Sequence, residues 1–178
     1  MNDETPSRRH PTLNHTREVG SLRDDALHEP QAPTRKVQLL YVGPLVFGIF
    51  EDEIATIAEW RRPSPLPHSP TAVLGVVSIQ GRMLTVLDPL NLFGETRRLV
   101  FPPGLLVALR GDEQIALAIE YKGETLDLAV KDILPQSEPA IRAVDGSFHY
   151  GDHLVRVIQV RGLFPAALRG SERRRRRF

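Results

Sequence analysis

Residues 66–70 read Leu-Pro-His-Ser-Pro, and residues 75–88 read Gly-Val-Val-Ser-Ile-Gln-Gly-Arg-Met-Leu-Thr-Val-Leu-Asp. The two prolines stiffen the first stretch and predict an ordered loop. In the second stretch, apolar and β-branched residues lie on both sides of Gly81-Arg82, a dipeptide that favours a tight turn. This part of the chain therefore predicts a loop followed by a β-hairpin.

The rest of the sequence between residues 37 and 160 also favours short strands. Glycine-containing turns at close spacing are typical of a β-barrel or sandwich. Two short helices are predicted, at 89–93 with Asp88 as N-cap and at 162–168. Residues 51–60 fit either a helical stripe or a turn that leads into a strand. The predicted strands cover residues 37–42, 45–50, 76–80, 83–88, 105–109, 114–120, 124–130, 148–150 and 154–160.

The length and composition restrict the class of protein. At 178 residues the chain suits one domain, or two small subdomains that share a core. It contains no cysteine, which excludes disulfides, thiol catalysis and thiolate metal sites. No apolar run is long enough to span a bilayer, and the N-terminus lacks the cationic and apolar regions of a signal peptide. These features predict a cytoplasmic protein.

The net charge is distributed unevenly along the chain. Residues 1–36 carry 6 Lys/Arg and 6 Asp/Glu, and residues 37–168 carry 11 Lys/Arg and 15 Asp/Glu, or −4. Residues 169–178 carry 6 Arg and 1 Glu, or +5. Low hydrophobicity predicts a disordered arm at 1–35, and like-charge repulsion predicts a disordered Arg-rich tail at 169–178. The acidic body between them is a poor binder of polyanions.

A weak internal repeat runs through this body. Residues 85–93 align with residues 156–164 at an offset of 71, because an apolar pair precedes a polar residue in both and Leu-Phe follows. The strand pair predicted at 37–50 corresponds at a similar offset to the pair at 105–120. The alignment predicts two half-domains of similar plan, with chance similarity between β-rich segments as the alternative.

Three segments resemble the signature of the CheW-like domain. Residues 57–60, Ile-Ala-Glu-Trp, are similar to its Val-x-Glu-Ile element; residues 66–70 are similar to its proline-rich loop, and residues 74–88 to its central motif. The resemblance covers the body, residues 36–168. It implies a mainly β fold of two SH3-like five-stranded β-barrel subdomains, interleaved along the chain and packed together along an apolar seam, with a few short helices.

The resemblance also implies a function. CheW-like domains are non-enzymatic adaptors that couple chemoreceptors to a CheA-type histidine kinase in bacterial chemosensory signalling. The implied partners are the regulatory domain of that kinase and the cytoplasmic tip of a chemoreceptor, the latter in a groove between the subdomains. By motif position, the implied protein-binding residues are Ile57, Glu59, Gly75 and Gln80. Ile57 would supply apolar contact area and Glu59 a polar contact that sets the register of the partner. Gly75 would leave room for a docked helix, and Gln80 would form a hydrogen bond.

Some positions depart from the family pattern. Ser78, Gln80 and Thr85 stand where the family carries Asn, Arg and Pro. An amide at position 80 recognises different groups from a guanidinium, which offers a rigid fork of donors. The alternative is therefore a divergent CheW-like adaptor in a motility or second-messenger pathway other than classical chemotaxis.

No pattern in the sequence predicts catalysis, a metal, a cofactor or a small-molecule substrate. Asp88 is interpreted as a helix cap, since no second acid stands at motif spacing for acid–base chemistry. His149 and His153 are separated by a turn, whereas a metal site at this spacing requires a helix. Trp60 is interpreted as a core residue, with an exposed interface anchor as the alternative.

The arginine run near the C-terminus has three interpretations. It is a solvated tail without a partner, a tether to an acidic protein or anionic lipid, or a contact for nucleic acid. The last of these defines a rival function, a nucleic-acid-associated protein, although the run lacks the interleaved aromatic residues of a stacking platform. The residues concerned are Arg173, Arg174, Arg175, Arg176 and Arg177.

Overall fold

A computed structural model describes residues 33–95, 102–111, 113–135 and 143–175, with side chains as far as Leu168. The described part is mainly β, as predicted. Its helices are α1, Pro89–Leu92, and α2, Val160–Arg175. Its strands are β1 Thr34–Val42, β2 Leu45–Phe50, β3 Ile54–Glu59, β4 Val73–Ile79, β5 Arg82–Leu87, β6 Leu105–Leu109, β7 Ile115–Ile119, β8 Tyr121–Ala129, β9 Leu134–Pro135, β10 Val144–Tyr150 and β11 His153–Ile158.

The strands form two sheets that are interleaved along the chain. Sheet 1 has six strands in the order β8-β1-β2-β11-β10-β9, and sheet 2 has five in the order β3-β6-β7-β5-β4. The chain therefore begins in sheet 1, builds all of sheet 2 from β3 to β7, and returns to sheet 1 at β8. Sheet 2 is thus one continuous segment of the chain, inserted between β2 and β8 of sheet 1.

The two sheets share one strand order, which supports the internal repeat. In sheet 1 the hairpin of β10 and β11 pairs in parallel with β2, and in sheet 2 the hairpin of β4 and β5 pairs in parallel with β7. A helix follows each hairpin, α2 after β11 and α1 after β5. The edge strands β8 and β3 hold equivalent positions beside β1 and β6.

Each sheet is closed by the chain that follows its edge strand. After β3, the backbones of Ser64 and Val76 in β4 exchange two hydrogen bonds of 2.8 Å. After β8, the two-residue strand β9 pairs with β10 in the corresponding place. Because this second contact is long enough to count as a strand, sheet 1 has six strands where five are predicted.

An apolar seam joins the two sheets. The larger core cluster contains Phe47 and Ile49 from sheet 1 together with Leu84 and Leu106 from sheet 2, all at most 2% exposed. A smaller cluster fills the inside of sheet 1 and includes Phe148. The two subdomains therefore share their main core, which fixes them as one body.

The ambiguous segment 51–60 is a strand preceded by a 3-10 turn, Glu51–Glu53. The predicted helix after Asp88 is present, and the Asp88 carboxylate accepts the Leu90 N–H at 2.9 Å. This cap satisfies one of the backbone donors that the first turn leaves without an intrahelical partner.

The predicted boundaries differ from the structure at both ends of the body. Helix α2 starts at Val160 and continues to Arg175, so the tail predicted as disordered from 169 is helical to that point. Arginine is a good helix former, and cations near a helix C-terminus are favoured by the helix dipole. Strand β1 begins at Thr34, inside the predicted arm. The rest of that arm and residues 176–178 lie outside the described residues.

Candidate protein-interaction surface

Two of the predicted site residues lie together on the edge strand β3. In register, Ile57 lies opposite Val107 and Glu59 opposite Leu105 of β6. Ile57 is half-buried and packs against the larger core cluster, whereas Glu59 is exposed. We call Ile57 and Glu59 the edge patch. It offers one carboxylate beside a partly covered apolar side chain.

The third predicted residue, Gly75, is not part of a surface. It is buried, its φ is +140°, and a Cβ built on it would overlap the carbonyl oxygen of Ser64. The protein's own backbone therefore occupies the space that glycine leaves open. The structure gives Gly75 a role in closing the barrel in place of the predicted clearance for a docked helix.

Gln80 lies at the tip of the β4–β5 hairpin and is exposed. Its φ is +48° and that of Gly81 is +78°, so two successive residues adopt the left-handed conformation that a tight hairpin turn requires. The backbone thus fixes where the Gln80 amide projects from the body. The amide can both donate and accept a hydrogen bond there.

Met83 lies near this tip and was missed by the sequence analysis. It is 55% exposed and lies opposite Ser78, while the next residue, Leu84, is buried. Strict alternation along β5 would have placed Met83 outward. An exposed, flexible thioether is suited to contact with a partner. We call Ser78, Gln80 and Met83 the hairpin tip.

The edge patch and the hairpin tip lie on different strands of sheet 2. Strands β3 and β4 stand at the two ends of its strand order, and the segment through Ser64 lies against β4 and closes the sheet. Both patches therefore belong to one closed barrel.

The start of β3 is held by contacts to β6. The backbone N–H of Arg110 donates to the Glu53 carbonyl at 2.8 Å, and Arg110 Nε donates to the Ile54 carbonyl at 3.0 Å. Burial raises the pKa of the Glu53 carboxyl, and the positive charge of Arg35 opposes that rise. These contacts fix the edge strand to the rest of sheet 2.

The link between the sheets is held on its other side by Arg35. Its guanidinium donates to both carboxylate oxygens of Asp52, at 2.8 and 3.0 Å, and lies 3.3 Å from the centroid of the Phe50 ring. Both of these bonds come from one nitrogen, Nη2, so the guanidinium joins β1 to the 3-10 turn while it lies over the Phe50 ring. The segment between β2 and β3 is thus held by Arg35 at Asp52 and by Arg110 at Glu53 and Ile54.

Among the described residues, no group of three His, Asp or Glu side chains is placed to hold a metal ion. His149 and His153 are exposed on either side of the β10–β11 turn. Trp60 is half-buried and packs against the larger core cluster. None of the helices within the described ranges has the length and apolar character needed to cross a membrane.

The described part of the chain is thus two barrels that share a core, with the edge patch and the hairpin tip on one of them. The chain belongs to the CheW-like domain family, whose model matches residues 36–168. It is 26% identical over 140 residues to Protein FrzA of Myxococcus xanthus, covering 78% of this chain and 83% of FrzA.

A solved structure shows the same fold. The crystal structure of scaffolding protein TtCheW from Thermoanaerobacter tengcongensis matches with a TM-score of 0.64 at 15% sequence identity. The match covers 72% of this chain and 90% of TtCheW. The SH3-like, two-barrel architecture that the resemblance implied is therefore confirmed.

Proposed function

We propose that this protein is a cytoplasmic, non-enzymatic adaptor that couples a chemoreceptor tip to the regulatory domain of a CheA-type histidine kinase. The observation that carries the proposal is the family match across the whole two-barrel body, together with the exposed Glu59 at the motif position that resembles the family's glutamate. The fold-level neighbour TtCheW is described as a scaffolding protein, which supports the same class of activity.

The edge patch suits a helical receptor tip. A docked helix covers the half-buried Ile57 with its apolar side chains, and Glu59 sets its register by pairing with a cation. The hairpin tip offers a second partner its own side chains, because Gln80 and Met83 are exposed on the β4–β5 hairpin and not on β3. Two partners can then bind one barrel without competing for the same side chains.

Coupling follows from the rigidity of this body. The partners bind to a single unit whose sheets share a core, so each holds a fixed orientation relative to the other. The adaptor biases the kinase between two states by binding them with different affinities. Individually weak contacts gain strength when many copies are engaged in one array.

A second candidate is a CheW-like adaptor in a motility or second-messenger pathway. Gln80 favours it, because a neutral amide replaces the arginine that the family uses at this position. Such an adaptor would use the same two patches with different partners. Recovery of receptor and kinase peptides with the tagged full-length protein, purified from its native cell, distinguishes the two.

The surface assignment is tested with charge and amide substitutions in the full chain. Glu59→Lys should weaken retention of a receptor signalling fragment by about tenfold, the loss expected for a central interface residue. The matched control is Asp127→Lys, which reverses an exposed acid on β8 far along the chain. Unaltered retention of the receptor fragment by a variant that carries both Glu59→Lys and Gln80→Ala would overturn the assignment.

Ile57→Asp is a weaker test of the same surface. Ile57 is half-buried against the core, so a carboxylate there destabilises the fold as well as any interface. Thermal unfolding therefore accompanies every pull-down. Only variants whose transition stays within a few degrees of that of the wild-type protein are used to judge binding.

A further inference from the structure

Helix α2 carries apolar side chains on the outside as well as on the inside. Leu163 and Ala167 are fully buried in the larger core cluster. Phe164 and Leu168 stay 37% and 47% exposed. They are four residues apart, so they lie one turn from each other on a single helix face.

The same helix continues into the arginine-rich end of the chain. It remains helical through Arg175, seven residues or about 10 Å beyond Leu168. Residues 169–178 carry +5, whereas residues 37–168 carry −4. The sequence therefore places a cluster of positive charge at the end of α2, directly after the exposed Phe164 and Leu168.

The orientation of Phe164 is held by a neighbouring turn. The Glu113 carboxyl, in the turn between β6 and β7, lies near the backbone N–H of Phe164, which opposes the rise that burial causes in the pKa of that carboxyl. Pro165 follows within the helix and has no N–H to donate. Glu113 and the buried Leu163 thus fix the first turn of α2, and with it the side on which Phe164 is presented.

We propose that α2 is a peripheral docking helix for an anionic lipid bilayer. Phe164 and Leu168 enter the boundary between headgroups and acyl chains, and the arginines pair with lipid phosphates. An apolar pair continuous with a cluster of cations is typical of helices that lie in a membrane interface. Nucleic acid would be bound by the cations alone, and it offers no apolar phase for the exposed pair.

This interaction uses different side chains from the adaptor surfaces. The edge patch and hairpin tip lie on sheet 2, at β3 and at the β4–β5 turn, whereas the docking side belongs to α2 at the other end of the sequence. A tethered adaptor would then collect at an anionic membrane.

The test is flotation of the full chain with two kinds of vesicle, phosphatidylcholine alone and phosphatidylcholine mixed with phosphatidylglycerol. We expect binding only to the anionic vesicles, falling as salt is added. Replacing Arg173, Arg174 and Arg175 by Gln should weaken it by more than about tenfold, since each basic residue near the surface contributes about fivefold. The matched control replaces the exposed Arg61, Arg62 and Arg82 by Gln.

The apolar pair is tested separately with Phe164→Ser combined with Leu168→Ser, which keeps every charge. Loss of vesicle binding by this variant, with an unchanged thermal transition, supports the proposal. Equal binding to both vesicles, or no binding to either, overturns it. Tighter binding to a DNA duplex than to anionic vesicles, unaffected by the double substitution, overturns it in favour of a nucleic-acid partner.

Discussion

Gly75 and Ser64 lie backbone to backbone, with no room for a side chain between them. A Cβ on Gly75 would overlap the Ser64 carbonyl oxygen, and the neighbouring Val76 exchanges two hydrogen bonds of 2.8 Å with Ser64. This contact joins the segment after β3 to β4 across the open side of sheet 2. Closure of the barrel that carries both interaction patches thus depends on a glycine.

Gly75→Ala should therefore destabilise the protein strongly. Its φ of +140° strains any residue with a side chain, and the Ser64 backbone blocks the added methyl group. We expect a loss of about 3 kcal/mol in the free energy of unfolding. The matched control is Gly81→Ala, where φ is +78° but nothing lies within 4 Å, with an expected loss of about 1 kcal/mol. Urea titration of both variants would refute this account if their midpoints were equal.

The internal repeat predicts a second glycine with the same task. Gly146 is 71 residues beyond Gly75, and a Cβ on it would approach the Leu134 carbonyl oxygen, where β9 closes sheet 1. Both glycines lie at register shifts of their hairpins, after Val73 and after Val144. Gly146→Ala should lower stability by about 2 kcal/mol, measured in the same titration. A neutral effect would show that the two closures are not equivalent.

Much of this architecture follows from the sequence. Apolar alternation and glycine turns predicted the positions of the main strands, and the 71-residue offset predicted equivalent halves. The pairing of β2 with β11 and of β5 with β7 did not follow, because parallel partners far apart in the chain leave no local pattern. The closure at Ser64 was missed for the same reason, since a single bridge has no strand signal of its own.

A buried acid gives the stability a distinctive pH dependence. Burial raises the pKa of Asp88, and hydrogen bonds from Asn91 and Leu90 only partly oppose it. The folded state thus holds this proton more tightly than the unfolded state does. The stability contributed by Asp88 is complete below the unfolded pKa of about 4 and falls as the pH rises through the folded pKa.

Asp88→Asn isolates this effect, because an amide keeps the cap but does not titrate in this range. The stability of the wild-type protein relative to this variant should decrease as the pH rises from about 4 to 7. Urea unfolding of both proteins across that range measures the difference between their free energies of unfolding. The contributions of the other titratable groups cancel in this difference. A difference that is constant, or that grows in favour of the wild-type protein, would contradict the raised pKa.

Gln38 is a buried amide that fastens edge strand β8 to β1 at an irregular point in the register. Its Nε2 donates to the Gly123 carbonyl at 2.7 Å and to the Glu124 carbonyl at 3.2 Å, and its Oε1 accepts from Thr125 Oγ1 at 3.1 Å. Gln38→Leu leaves several polar groups without partners and should cost about 3 kcal/mol. Thr125→Val removes one of these bonds and should cost about 1 kcal/mol. Equal unfolding midpoints would refute the network.

The candidate site was only partly predictable. Gln80 lies next to the turn that the sequence predicts at Gly81, and the structure shifts that turn by one residue to Gln80-Gly81. The place of Glu59 on an edge strand did not follow, because residues 51–60 fitted a helical stripe as well as a strand. Gly75 was misinterpreted because the space beside a glycine belongs to whichever segment the fold brings there. In this chain the space beside Gly75 is filled by the backbone of Ser64, eleven residues earlier. No periodic pattern in the sequence predicts that contact.

The central claim is that one molecule of this protein joins two others. The direct measurement is a three-component pull-down, in which an immobilised receptor signalling fragment is mixed with the kinase regulatory domain, with and without the full-length adaptor. The account predicts that the regulatory domain is retained only when the adaptor is present, and that Glu59→Lys reduces this retention while Asp127→Lys does not. Equal retention of the regulatory domain without the adaptor, or binding of the adaptor to only one partner at a time, would contradict it.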